Sequence, residues 1–254
     1  MILDSFSLKG KNALVTGSRV GLGAGIAVAL AQAGTNVIMH NKDANRIEKV
    51  CAAVSAADAK AARAIADVSD ARACEDLVEL TVRELGSIDI LVNNAGIIRR
   101  SPAAEMSMKD WMDVIEVDLT AVFRLCQLAG RRMLKQGRGK IVNIASLLSF
   151  QGGVFVPAYA AAKSGVAGIT KALANEWASK GINVNAIAPG YMTTDNTAAL
   201  RQDPERNRQI LERIPAGRWG EPRDLAGAAL FLCSSASDYV HGHILVVDGG
   251  WLAR

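Results

Sequence analysis

The run Asn12-Ala13-Leu14-Val15-Thr16-Gly17-Ser18-Arg19-Val20-Gly21-Leu22-Gly23 carries a short apolar segment straight into glycines spaced G-x-x-x-G-x-G. Asn12 to Thr16 reads as a buried strand stopped by Gly17. Leu22 to Ala33, apolar, alanine-rich and closed by Gly34, reads as a helix. Glycines between a strand and a helix permit a tight turn and let backbone amides approach a phosphate. The helix start adds unpaired N–H donors and the positive end of its dipole. The spacing departs from G-x-G-x-x-G, so its weight comes from its position between the first strand and the first helix. It predicts a dinucleotide site built on Gly17, Arg19, Gly21, Leu22 and Gly23.

Outward from this turn, strands and helices alternate to the end of the chain. Strands are expected at Asn36 to His40, Ala61 to Ala66, Ile88 to Val92, Lys140 to Ile144, Ile182 to Ile187 and Ile244 to Asp248. Helices are expected at Asp43 to Ala56, Ala71 to Leu85, Met108 to Leu134, Pro157 to Ser179, Asp203 to Ile214 and Pro222 to Ser234. The strands lack strict polar alternation, as parallel strands covered by helices on both faces do. The order implies an α/β fold with right-handed crossovers: a single doubly wound parallel sheet of Rossmann type, with helices on both faces. A length of 254 residues suits one dinucleotide-binding catalytic domain spanning 1–254. The least regular stretch, Tyr191 to Pro215, is expected to form a substrate lid at about 191–215.

Composition excludes several classes. Half the residues are apolar, enough for a sizeable core. No apolar run approaches the roughly 20 residues that cross a bilayer, and Met1 to Lys11 does not read as a secretory leader, so a cytoplasmic protein with no membrane partner is expected. Cys51, Cys74, Cys126 and Cys233 are far apart and form no C-x-x-C pair, which points to free thiols in a reducing compartment. The three histidines do not cluster with acids at ligand spacing, so no metal is expected. A net charge of +4 with scattered basic residues argues against a nucleic-acid partner.

Two further segments fit the dinucleotide reading. Asn93-Asn94-Ala95-Gly96 follows the fourth strand, where such sheets face their ligand crevice, and its Asn94, Ala95 and Gly96 can line the ribose. Asp67-Val68, after the third strand, is placed to cap the adenine, although Asp67 reads equally well as the N-cap of the next helix. At the end of the second strand, Asn41 neither grips both ribose hydroxyls nor repels a 2′-phosphate, and Lys42 can welcome one. Charge alone leaves NAD(H) and NADP(H) both open.

The chemistry sits in Ser146 and, thirteen residues later, Tyr159-Ala160-Ala161-Ala162-Lys163. On a helix, positions i and i+4 share a face, so phenol and ammonium share a site. A phenol with an ordinary pKa of ~10 is a poor acid–base catalyst near neutrality, and a neighbouring ammonium stabilises its phenolate. Ser146, at a strand end, can hold the substrate oxygen.

Together these motifs, with Pro189-Gly190 and Val247-Asp248-Gly249-Gly250, make the whole chain resemble the short-chain dehydrogenase/reductase family. The resemblance implies that Tyr159 is the acid–base, that Ser146 orients the carbonyl and that Lys163 also binds the nicotinamide ribose. It implies that Pro189, Gly190, Met192 and Thr194 hold the nicotinamide carboxamide. It also implies a homotetramer and tilts the cofactor toward NAD(H). One departure stands out: where the family has an asparagine whose backbone carbonyl holds a water behind the lysine, this chain has Asp118, an altered fourth member of the catalytic set.

Segments such as Gly96 to Arg100, Ser146 to Gly153, Arg213 to Gly220 and Gly249 to Arg254 resemble the family's deoxy-sugar-acid dehydrogenases. Such a substrate carries a carboxylate, which Arg99 or Arg100 can clamp, and hydroxyls, one of which Gln151 can read. The alternatives are a 3-oxoacyl carrier-protein reductase or another polyol dehydrogenase of the family and, in a different class, a non-catalytic nucleotide-binding sensor.

Overall fold

The computed structural model describes residues 1–44 and 47–254. The strands are β1 (Asn12–Val15), β2 (Asn36–Asn41), β3 (Ala61–Ile65), β4 (Ile90–Asn93), β5 (Gly139–Ile144), β6 (Ile182–Pro189) and β7 (Ile244–Val247). They pair in parallel in the order β3-β2-β1-β4-β5-β6-β7. The chain builds outward from β1 to β3, then returns to lay β4 on the other side of β1. A crevice opens at that reversal, outside the carboxyl ends of the strands.

Between the strands run α1 (Gly21–Gln32), α2 (Ile47–Ser55), α3 (Ala71–Leu85), α4 (Met108–Ile115), α5 (Ala121–Gln136), α6 (Pro157–Trp177), α7 (Ala198–Gln202), α8 (Pro204–Arg213) and α9 (Ala226–Cys233). Alternate strand residues feed two cores. Leu14, Ile38, Leu91 and Ile141 pack with Leu77 of α3, Leu125 of α5 and Val166 of α6. Their neighbours Ala13, Val37, Val92 and Val142 pack with Leu30 of α1, Val50 of α2 and Ala229 of α9. Both faces are therefore buried, which is why the strand sequences carry no polar alternation.

The elements depart from expectation in four places. Met108 to Leu134 is not one helix: a π-turn at Glu116–Thr120 separates α4 from α5, an insertion that the 3.6-residue period passes over. Pro222 to Ser234 begins as a 3₁₀ turn, Pro222–Leu225, before α9. The Asp43 to Ala56 helix is observed as α2 from Ile47, and residues 45 and 46 of that expectation lie outside the described residues. The N-cap of α3 is Asp70, whose carboxylate accepts the Arg72 amide, rather than Asp67.

Segment 191–215 holds the expected helix as α8 and a further short helix, α7, before it. Tyr191 stacks against Trp219 and Trp251 at centroid distances of 5.5 and 4.6 Å, and Arg213 lies 4.0 Å over Trp251. Among the described residues no helix is long and apolar enough to cross a membrane.

Candidate active site

The glycine turn and the Asn93 to Gly96 segment close on each other at the β1/β4 reversal. Asn94 donates from Nδ2 to the Thr16 and Gly17 carbonyls, each at 2.9 Å. Thr16 Oγ1 accepts the amides of Asn94 and Ala95, each at 3.0 Å. Gly17 has φ +61°, and a Cβ there would stand 2.8 Å from the Ala95 Cα, so only glycine fits this closure. Gly21 and Leu22 open α1 into the crevice, and Gly23 sits behind them against Asn94. Asn93 is structural: buried, it donates to Asn143 Oδ1 at 2.9 Å and to Cys126 Sγ at 3.2 Å.

A cleft of about 980 Å³ runs over this turn, from Lys42, Asp67 and Val68 at one end to Tyr159, Lys163 and Thr194 at the other. At the first end the charges are paired, Lys42 with Asp67 at 2.6 Å and Arg19 with Asp43 at 2.9 Å. The Lys42 ammonium holds the Asp67 carboxyl below its usual range. Asn41 also lines the cleft, donating to the Asp43 carbonyl at 2.9 Å. One wall was missed in the sequence: Lys109, Met112, Asp113, Glu116 and Val117. Their spacing of 3, 1, 3 and 1 is a single helix face, and that signal stood beside Asp118.

At the other end α6 presents Tyr159 and Lys163 together, with Lys163 Nζ 5.4 Å from the phenol ring centre. Lys163 is buried and donates to the Ile144 carbonyl at 3.0 Å. The π-turn drives Asp118 inward until it is fully buried, with Oδ2 3.4 Å from Lys163 Nζ and Oδ1 accepting the Ile97 amide at 2.7 Å. Burial pushes the Asp118 carboxyl up, against the pull of Lys163 and the Ile97 amide. Burial also works to lower the Lys163 pKa, but the Asp118 carboxylate and Tyr159 outweigh it and the net direction is up.

Of the other sequence candidates, Arg99 and Thr194 line the cleft, and Ser146, Arg100, Gln151, Pro189, Gly190 and Met192 do not. Ser146 caps the 3₁₀ turn Leu147–Ser149, its Oγ accepting the Leu148 amide at 3.1 Å, and its hydroxyl proton has no acceptor among the described residues. Arg99 lines the cleft and stands 3.4 Å from Asp110. Arg100 does not line it; it donates to the Asn196 carbonyl at 3.4 Å. Gln151 accepts from Trp251 Nε1 at 3.4 Å, beside segment 191–215. Pro189 ends β6, and Gly190 and Met192 border a separate cavity of about 150 Å³.

These residues fit a dinucleotide. The cleft encloses about 980 Å³, Gly17 and Gly21 put no Cβ on the turn before α1, and cationic groups stand at both ends. A family model described as enoyl-(acyl carrier protein) reductase matches residues 17–252. The chain belongs to the short-chain dehydrogenase/reductase family. As a member it is a nicotinamide-dependent oxidoreductase acting on CH–OH groups. It is 56% identical to the 2-dehydro-3-deoxy-D-gluconate 5-dehydrogenase of Dickeya dadantii (strain 3937), with all of both chains covered. It is similar to a crystal structure of a candidate 2-deoxy-D-gluconate 3-dehydrogenase from Agrobacterium tumefaciens with bound NADP, at TM-score 0.93 and 55% identity over 99% of this chain and 100% of that one. A gluconate 5-dehydrogenase from Burkholderia cenocepacia J2315, in complex with NADP and tartrate, superposes at TM-score 0.95 with 38% identity and all of both chains covered.

Proposed function

We propose that this enzyme interconverts a keto and a hydroxy group of a deoxy sugar acid such as 2-dehydro-3-deoxy-D-gluconate or 2-deoxy-D-gluconate, with NADP(H) as the hydride carrier. The observation that carries the reading is Tyr159 and Lys163 sharing one cleft with the glycine turn, Lys163 Nζ being 5.4 Å from the phenol ring centre. The substrate class rests on the full-length likeness to the Dickeya dadantii enzyme.

When bound, the nicotinamide supplies or accepts the hydride. The chain's own work is orientation and proton transfer. In reduction the Tyr159 hydroxyl gives its proton to the substrate oxygen as the C=O bond becomes single, and the Lys163 ammonium stabilises the phenolate left behind. The Ser146 hydroxyl donates to the same oxygen and fixes its position. In oxidation the phenolate takes the proton back. Gly17, Gly21 and Leu22, with the amides at the start of α1, would hold the pyrophosphate.

NADP(H) rather than NAD(H) is favoured by Arg19 and Lys42 at the ribose end and by the lack of a carboxylate at position 41. The two relatives with bound NADP described above point the same way. Segment 191–215 is assigned as the lid, since Thr194, Asp195 and Asn196 border the cleft. A homotetramer and a cytoplasmic location, the latter fitting four free cysteines, complete the proposal.

The test is NADPH and NADH oxidation over keto sugar acids and acetoacetyl thioesters, with Tyr159→Phe as the control. Turnover of a keto sugar acid, faster with NADPH, is expected, and the control should lose at least ~10²-fold. Turnover of the thioester alone would overturn the substrate class. Near-normal turnover in the control would overturn the role of Tyr159.

A further inference from the structure

His40, on β2, is a buried imidazole in the wall of the cleft that the chemistry above leaves unused. Both ring nitrogens are engaged with backbone. Gly17 N–H points at Nδ1 at 3.3 Å, and Nε2 stands 3.0 Å from the Ala66 carbonyl oxygen. A carbonyl only accepts and an amide N–H only donates. The ring therefore carries its proton on Nε2 and offers the Nδ1 lone pair to Gly17, the arrangement of a neutral imidazole. The backbone of the same residue is tied to the turn as well: His40 N–H donates to Ser18 Oγ at 3.0 Å, and Ser18 N–H to the His40 carbonyl at 2.9 Å. One residue thus spans the cleft floor from the glycine turn to the chain just before Asp67 and Val68.

We propose that His40 is a positioning residue for the dinucleotide: its neutral ring sets the spacing between the Gly17 turn and the Ala66 to Val68 wall, and proton uptake at Nδ1 loosens the bound cofactor. The proposal rests on the reading of the cleft as a dinucleotide site. A proton on Nδ1 would set two donors, ring N–H and Gly17 N–H, against each other, and the turn that Asn94 and Thr16 hold in place must shift to separate them.

Among the described residues, the charged groups at this end of the cleft are Asp67 from the end of β3, Lys42 and Asp43 just after β2, Arg19 from the turn and Asp113 of α4, whose charge reaches Lys42. Arg19 and Lys42 pair with Asp43 and Asp67 as described, and Asp113 pairs with Lys109 at 2.6 Å, so among the described residues each acid at this end already has a cation. Burial holds the imidazole below its ordinary 6.5, against weaker upward pulls from the Ala66 carbonyl and Asp67. The ring is therefore neutral at neutral pH, and loosening belongs to the acid side.

The experiment is calorimetric titration of NADP⁺ into the wild type, His40→Asn and His40→Leu between pH 5.0 and 7.5, with circular dichroism as the folding check. Asn keeps an acceptor near the Nδ1 position and takes up no proton; Leu offers no acceptor. At pH 7.5 His40→Asn, which gives up the Ala66 contact, should bind more weakly than the wild type, and His40→Leu, which gives up the Gly17 contact as well, about tenfold more weakly again, the effect of one further unmade backbone hydrogen bond. Toward pH 5.0 the wild type should lose more affinity than His40→Asn. The 2′-phosphate titrates in this range too, but equally in both proteins, so the difference between the curves belongs to His40. Parallel curves for wild type and His40→Asn would overturn the inference alone. A wild type that takes no dinucleotide at pH 7.5 would overturn the reading of the cleft and this inference with it.

Discussion

Asp118 gives one oxygen to the Ile97 amide and the other to the Lys163 ammonium, whereas an asparagine has only one oxygen to offer. In Asp118→Asn the amide NH₂ must face one of those two donors, and the buried ammonium loses its compensating charge. Asp118 is the main upward influence on Lys163, so its removal lets the lysine pKa fall from a raised position. While Lys163 stays protonated, its less compensated charge stabilises the Tyr159 phenolate more strongly. The pH at which alcohol oxidation reaches half its plateau should therefore move down in Asp118→Asn, as a kcat/KM profile will show. An identical profile would mean that the pair does not reach the phenol. The two arginines separate in the same residue-by-residue way. Arg99 lines the cleft, while Arg100 is turned to the Asn196 carbonyl, so Arg99→Ala should raise KM for a keto sugar acid about tenfold and leave a neutral ketone nearly unchanged. Arg100→Ala should do much less. An equal effect on charged and neutral substrates would remove Arg99 as the anion clamp.

Among the elements, α3 shows how close two readings of one segment can lie. Asp67 and Asp70 both precede it, and from sequence Asp67 served as either adenine wall or cap. The chain turns twice before the helix: Asp67 Oδ1 accepts the Ser69 amide at 3.0 Å and Asp70 Oδ1 accepts the Arg72 amide at 2.8 Å. Asp70→Ala should then cost about 0.5–2 kcal/mol in urea unfolding, the usual worth of an N-cap. Asp67→Ala should leave the helix capped; a larger loss in Asp67→Ala than in Asp70→Ala would reverse the assignment. The strands were legible because each is a short apolar run bounded by glycine, proline or polar residues, and the glycine turn lies at one such boundary, whereas Tyr159 and Lys163 were legible as an i, i+4 pair on α6. The π-turn was not, because one inserted residue leaves apolar spacing nearly intact while rotating Asp118 into the site. His40 escaped for a related reason: a strand pattern tells that a residue is buried, but its partners, Gly17 and Ala66, come from two other crossovers.

At the scale of the whole molecule, the sheet leaves two edges open, β3 and β7, and the chain after β7 folds back as a 3₁₀ turn at Trp251–Ala253. An open strand edge and uncovered helix faces invite pairing with another copy. On α5 the outward side carries Phe123, an aromatic ring left 43% exposed. On α6 the exposed positions Ala161, Ser164, Gly168 and Ala172 are small and allow a second helix to approach closely. Two twofold contacts, one through the α5 and α6 faces and one through β7, would close the proposed tetramer. Sedimentation equilibrium at micromolar concentration should therefore give four times the 26.8 kDa chain mass. Phe123→Glu would place a charge in the proposed helix contact and spare the β7 contact, so it should leave dimers, because only one of the two axes would be broken. A wild-type mass of one chain would refute the assembly. A tetramer unchanged by Phe123→Glu would move the contact off α5.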